Sequence, residues 1–266
     1  MNLPVEIFLL ILKRLPLRHG IKMTQVNKEI KRIVQTYSWC NQTIKVKKLD
    51  DIINVLFNYK FQCYDLRFTK ITNSTLECSA GLRKIHTLRL DGCKQITDFG
   101  VQFLKNCHMI SLSNCKQLTD SSIKLLGNCH TLYLNNCTQL TDNSFKHLGK
   151  CHTLHLKSCN ITDYGLKYLK NCHTLNVFQC YNITDTGVKE LGGCHTLDLQ
   201  YCYFITDNSV KKLGGCHTLN LQYCLNITDN SVKELHRCHT VNIEGCFRLT
   251  REARELLFAK NRRILK

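Results

Sequence analysis

Apolar positions return on a fixed beat through most of this chain. The unit from Cys216 to Leu235 reads Cys-His-Thr-Leu-Asn-Leu-Gln-Tyr-Cys-Leu-Asn-Ile-Thr-Asp-Asn-Ser-Val-Lys-Glu-Leu. Its first half alternates. Leu219 and Leu221 point one way, Thr218 and Asn220 the other, which predicts a half-buried strand. Its second half changes period. Val232 and Leu235 are three apart behind Thr228-Asp229, a pair suited to opening a helix. Each unit therefore predicts strand, turn and short helix. One unit cannot bury its own apolar face, so neighbours must stack into a solenoid.

Cysteines mark the period. Cys93, Cys115, Cys137 and Cys159 are 22 apart, and Cys159 to Cys180 is 21, because one residue is missing before Ile161. The spacing of 22 resumes through Cys202, Cys224 and Cys246. A second column runs Cys107, Cys129, Cys151, Cys172, Cys194, Cys216 and Cys238. The frame Cys-x-x-Leu-x-Leu-x-x-Cys, followed by Ile-Thr-Asp, resembles the cysteine-containing leucine-rich repeat. Eight units fit, with strand pairs such as Leu88/Leu90, Leu132/Leu134 and Leu197/Leu199. A worn unit precedes them (Cys63, Leu66, Phe68, Ile71-Thr72-Asn73), and Ile44 and Val46 are candidates for an earlier start. The resemblance implies an α/β leucine-rich-repeat solenoid, a horseshoe with its strands on the concave side.

The first 46 residues lack this period. Leu3-Pro4-Val5-Glu6-Ile7 leads into Ile11-Leu12 and Leu15, a stripe that predicts an amphipathic helix with Pro4 near its start. A second helix is expected after Pro16 and Gly20, carrying Val26, Ile30 and Ile33. About 45 residues of helix make little core alone and need a partner or the solenoid end. The patterns Leu-Pro-x-Glu-Ile, Ile-Leu-x-x-Leu and Val-x-Lys resemble an F-box. His19-Gly20 and Ile30 depart from it, standing where that family has an acidic residue with leucine, and Trp. The resemblance implies that Leu3, Pro4, Ile7, Ile11, Leu12, Leu15 and Val26 meet a Skp-type adaptor and, through it, a cullin ligase core. The expected division is an F-box-like helical module over 1–46, degenerate repeat material over 47–85, regular repeats over 86–249, and a closing helix with a basic tail over 250–266.

Composition narrows the class. Hydrophobic residues make up 43% and charged residues 21% of 266, a globular balance. The apolar run Ile7 to Leu12 is too short to span a membrane, and Glu6 sits where a secretory leader would be basic, so neither is expected. Thirty-seven basic against 20 acidic residues leave a formal charge of +17, which invites acidic partners without choosing among them. Eighteen cysteines without an export signal are expected as free thiols in a reducing compartment, the cytoplasm or nucleus. Richness in Lys, Asn and Ile, with such regular repeats, resembles proteins of giant viruses and protists.

Cysteine and histidine columns suggest zinc. Ile85, however, holds the first-cysteine slot of the Leu88 unit, and a hydrocarbon is no ligand. The columns are therefore read as packed ladders, with no metal and no cofactor expected. The second column replaces asparagine, and a thiol is a weak donor, so it is expected to pack and not to bond. The histidines, from His86 to His239, are read as a half-exposed rim that resists joint protonation. The aspartates, from Asp98 to Asp229, are read as helix caps or first-turn charges. No unique nucleophile, P-loop or paired carboxylates appear, so no catalysis is expected.

Outward strand positions are free of core duty. One column reads Arg89, Ser111, Tyr133, His155, Asn176, Asp198, Asn220, Asn242, and the next Asp91, Ser113, Asn135, Lys157, Phe178, Gln200, Gln222, Glu244. Their mixture of aromatic and polar groups suits protein recognition. The candidate target-binding cluster is Tyr133, His155, Lys157, Phe178, Asp198, Tyr201 and Tyr223. The two resemblances together imply the substrate-recognition subunit of an SCF-type ubiquitin ligase holding an unknown protein target. The alternatives are a non-catalytic scaffold and a basic repeat protein on nucleic acid. The absence of an aromatic-interleaved basic groove speaks against the last.

Overall fold

The computed structural model describes residues 38–45, 60–78, 85–260 and 263–265. The seven adaptor residues expected from the sequence, Leu3 through Val26, lie outside them. Among the described residues eleven strands form one sheet in strict chain order, every neighbour parallel. The first two are β1 (Ser38–Lys45) and β2 (Lys60–Asp65). Strands β3 (Thr87–Arg89) to β10 (Thr240–Asn242) are three residues each, and their central residue is buried between two half-exposed ones in all but one. In that exception, Met109–Ser111, the last residue is buried as well. Short helices such as Asp142–Phe145 and Asp163–Leu166 return each repeat along the other side. The architecture is a leucine-rich-repeat solenoid. Among the described residues no helix is long and apolar enough to cross a membrane.

The sheet takes the earlier start for which Ile44 is a candidate and, at the far end, runs past the expected limit. β1 falls inside the segment read as helical and pairs with β2 through Ile44↔Tyr64. It covers an edge that would otherwise present unpaired backbone groups. At the far end the helix Arg251–Lys260 buries Ala253 and Leu257 over the last repeat, as a terminal cap must. Arg263–Leu265 then adds a strand beside β10, where the sequence suggested only a tail.

Both cysteine columns line the core; the first mainly packs, with longer contacts from Cys216 and Cys238 to the carbonyls of Leu191 and Leu213 at 3.9 and 3.5 Å. Burial pushes the thiols of Cys107, Cys129 and Cys172 up to about 12, so they stay protonated and pack. The second column also bonds, contrary to expectation. Cys93, Cys115, Cys137, Cys159 and Cys246 donate from Sγ to the preceding repeat's Leu carbonyls at 3.2, 3.3, 3.3, 3.1 and 3.0 Å. Each carbonyl is buried at the bend, away from water, so even a weak donor is worth having there. The thiol thus does the asparagine's job. Among the described residues no group of three or more His, Cys, Asp or Glu side chains is arranged to hold a metal ion.

The aspartate column likewise does more than open helices. The N-cap is the preceding threonine, as when Thr141 Oγ1 accepts from Asn143 N at 3.3 Å. Asp142 accepts instead from the next repeat, from Thr162 N at 3.0 Å and Oγ1 at 2.5 Å. The same two bonds recur from Asp98 to Asp229, seven carboxylates in all. Asn73 makes the first rung with its amide. Burial alone would raise the Asp185 carboxyl, yet bonds from Ser209 and Thr206 bring it below the ordinary value.

Candidate protein-binding surface

The outward strand residues form two rows across the sheet. Register places Asp65, Arg89, Ser111, Tyr133, His155, Asn176, Asp198, Asn220 and Asn242 in line. The rows split by function. From Asn176 onward the side chains are committed to the backbone. Asn176, Asp198, Asn220 and Asn242 accept from the N–H two residues on, at 3.0, 3.1, 3.1 and 3.0 Å. Asp198 also accepts from Asn176 Nδ2 at 2.7 Å. Burial raises its carboxyl above the ordinary range against those bonds. Asp198, taken from the sequence as a target contact, sits in this bracing network.

The other six candidates are half-buried, except the exposed Lys157, and they meet one another through ring contacts. Tyr133 and His155 stack at 4.3 Å with 10° between their planes. Burial lowers the His155 imidazole, keeping it neutral at neutral pH. Lys157 Nζ lies 4.1 Å above the Phe178 ring, a cation–π contact. Phe178 meets Tyr201 edge-on at 5.4 Å, and Tyr201 stacks on Tyr223 at 4.7 Å and 4°. Lys157, Phe178, Tyr201 and Tyr223 are thus one continuous run of contacts.

Tyr201 and Tyr223 occupy a demanding position. The residue before each second-column cysteine turns the chain with a left-handed backbone. It is Asn114, Asn136, Ser158 and Gln179 in the middle repeats, and Gly92 and Gly245 near the ends. Asparagine and glycine suit this conformation. Tyr201 at φ 60° and Tyr223 at φ 57° do not, and a bulky residue there stores strain of about 1–3 kcal/mol. The Tyr223 ring then lies across the next repeat, with Cδ1 2.4 Å from where a Gly245 Cβ would stand. With the ring in this position, any side chain at 245 would force it to move.

The sequence reading missed the outer part of this rim. Tyr181 and Tyr203 stack at 5.6 Å, Tyr203 meets Tyr201 edge-on at 6.2 Å, and Phe247 meets Tyr223 at 6.4 Å. Phe204 is 61% and Phe247 76% exposed, apolar area with no duty in the core. The signal was available: an aromatic residue directly follows the second cysteine in Cys180-Tyr181, Cys202-Tyr203 and Cys246-Phe247.

The histidines line the opposite end of the strands. Eight rings from His86 to His239 stack in unbroken succession at 4.3–4.5 Å. In six of them Nδ1 pairs with the adjacent threonine Oγ1 at 3.1–3.4 Å, which explains the uniform threonine column. His108 and His195 are held below the ordinary imidazole value by burial first and then by their two histidine neighbours. The unfolded chain therefore takes up protons first as pH falls through about 6.5. Stability present above that pH should be lost progressively below it, before the carboxylates titrate near about 4. Thermal unfolding across this window measures it. Replacing His108 and His195 with Gln should flatten the slope. A native chain equally stable at both ends of the window would refute the repulsive ladder.

Known proteins agree with this architecture. A family model described as Leucine Rich repeat matches residues 152–170. The crystal structure of the Rad7 and Elc1 complex in yeast contains a chain similar at 16% identity with TM-score 0.55, over 80% of this chain and 71% of that one. A chain of the TLR13–ssRNA13 complex is similar at 18% identity with TM-score 0.58, over 77% of this chain and 32% of that one. The present chain thus spans about a third of the length of the TLR13 structure. No curated protein matches by sequence.

Proposed function

We propose that this chain is the substrate-recognition subunit of an SCF-type ubiquitin ligase. The N-terminal segment docks on a Skp-type adaptor through Leu3, Pro4, Ile7, Ile11, Leu12, Leu15 and Val26, and the concave sheet holds a protein target. The ligase core supplies the chemistry, and this chain contributes proximity. The observation that carries target binding is the strained Tyr201–Tyr223 stack. Asparagine at these bends would cost less, so the rings are kept for what they touch outside the fold. A leucine-rich-repeat solenoid with an exposed aromatic rim supports a protein partner. Rad7, a fold neighbour, is itself crystallised with a second protein, Elc1.

The full chain should retain a recombinant Skp-type adaptor on a column. Ile7→Asp combined with Leu12→Asp should release it while the circular dichroism of the repeats stays unchanged. Failure of the unaltered chain to hold the adaptor would remove the ligase assignment. A second reading, nucleic acid, is favoured by the +17 charge and by the ssRNA in the TLR13 complex. It predicts RNA retention that falls steeply and log-linearly with salt.

A further inference from the structure

A polar cavity of about 220 Å³ opens on the concave face, away from the aromatic rim, lined by Arg67, Arg89, Asp91, Ser111, Ser113, Tyr133 and Asn135. It exists because two small residues interrupt rows of large ones. Ser111 and Ser113 form its floor between Arg89 on one side and Tyr133 and Asn135 on the other. Both serines are only 6% exposed.

The hydrogen-bond inventory of this cavity leaves more donors than acceptors over. Arg67 is committed, with Nε and Nη2 each 2.8 Å from the two Asp65 carboxylate oxygens. Asp91 accepts from the Ser111 hydroxyl. Ser113 Oγ accepts from Asn135 N at 3.3 Å, and Asn135 Oδ1 accepts from Lys157 N at 2.9 Å. Among the described residues, four donors are left without acceptors: the Arg89 guanidinium, the Ser113 hydroxyl proton, the Tyr133 hydroxyl and the Asn135 amide. A buried hydroxyl proton with no acceptor is costly, so the site calls for a ligand that accepts.

Charge decides what kind. Arg89 feels the neighbouring Asp65 carboxylate, but Arg67 holds that group and Arg89 itself makes no hydrogen bond to a counter-ion among the described residues; guanidinium binds planar oxyanions in a two-pronged fashion. The surplus of +17 also favours anions. Asp91 lies in the same cavity and opposes a second negative charge. A monoanion satisfies both conditions, and a phosphoryl dianion does not. We propose that this cavity binds the carboxylate of an Asp or Glu side chain in an associated polypeptide. The inference rests on the reading of the concave sheet as a polypeptide-binding surface and adds what part of the polypeptide it selects.

Nuclear magnetic resonance on the full-length, nitrogen-labelled chain tests it through the Arg89 Nε–Hε signal. The probes are capped tripeptides Gly-Glu-Gly, Gly-Gln-Gly and Gly-phosphoserine-Gly, and Gly-Gly-Gly with a free C-terminus. The Glu peptide should shift the signal saturably at millimolar concentration, and the Gln peptide should not. Arg89→Gln should weaken the Glu peptide by about tenfold, read on the Asn135 amide. Ser111→Leu should fill the cavity and abolish binding, with an otherwise unchanged spectrum reporting the fold. Equal shifts from Glu and Gln peptides, or no saturable shift, would overturn the proposal. Tighter binding of the phosphoserine peptide would overturn the monoanion assignment. Tighter binding of the free C-terminus would move the source from a side chain to a chain end. Adaptor capture does not involve Arg89, so the ligase reading stands or falls separately.

Discussion

Phe145→Ala is expected to lower the free energy of unfolding by about 3–5 kcal/mol. Phe145 heads the largest fully buried side chains. Equivalent helical positions hold Val101, Ile123, Leu166, Val188, Val210 and Val232, so one ring fills space that aliphatic residues fill elsewhere. Removing it leaves a cavity in the middle of the stack, where neighbouring repeats on both sides restrain collapse. Urea unfolding should show an earlier midpoint with an unchanged slope. A loss below about 1 kcal/mol would mean that the repeats close over the gap, and that packing at this level does not limit the solenoid.

Gly165→Ala is expected to cost about 1–3 kcal/mol, and Gly165→Ser less. A Cβ at Gly165 would stand 2.3 Å from Asp142 Oδ1, 2.9 Å from Ile161 Cγ1 and 3.0 Å from Phe145 Cδ2. Methyl and carboxylate would collide, and the Asp142–Thr162 rung would be displaced. Two other repeats also have glycine here, Gly100 and Gly187, and four have serine: Ser122, Ser144, Ser209 and Ser231. Ser144 donates to the Asp120 carboxylate, and Ser209 donates to Asp185 Oδ1 at 2.6 Å. A serine brings the same Cβ as alanine, but its hydroxyl can donate to the carboxylate and offset part of the cost, whereas alanine offers nothing in return. Thermal unfolding of the two variants ranks them. Alanine as stable as serine would show that the rung contributes little.

Much of this fold is legible in one repeat. Alternation at Thr218-Leu219-Asn220-Leu221 gave the strand, and the shift of period at Val232 and Leu235 gave the return helix, because each depends on neighbours in sequence. The geometry of the candidate surface was legible in part. Six of the seven residues singled out lie in ring stacks or a cation–π contact on the outward side of the strands and bends. Asp198 looked like an available charge, yet its carboxylate is occupied by Asn176, a partner 22 residues away that no local pattern reveals.

The sequence by itself determined the repeat length, the order of strand, bend and helix, and the burial of both cysteine columns, since periodic apolar side chains must leave water together. Tertiary structure decided what each column does. Stacking brings residues 20 to 25 apart into contact, so a carboxylate becomes a bridge to the next repeat and a thiol a donor to the previous one. The same stacking turns single histidines into a continuous ladder and sinks two serines between arginine and tyrosine to open a cavity. Those outcomes depend on register between coils, a relation that exists only once the chain is wound.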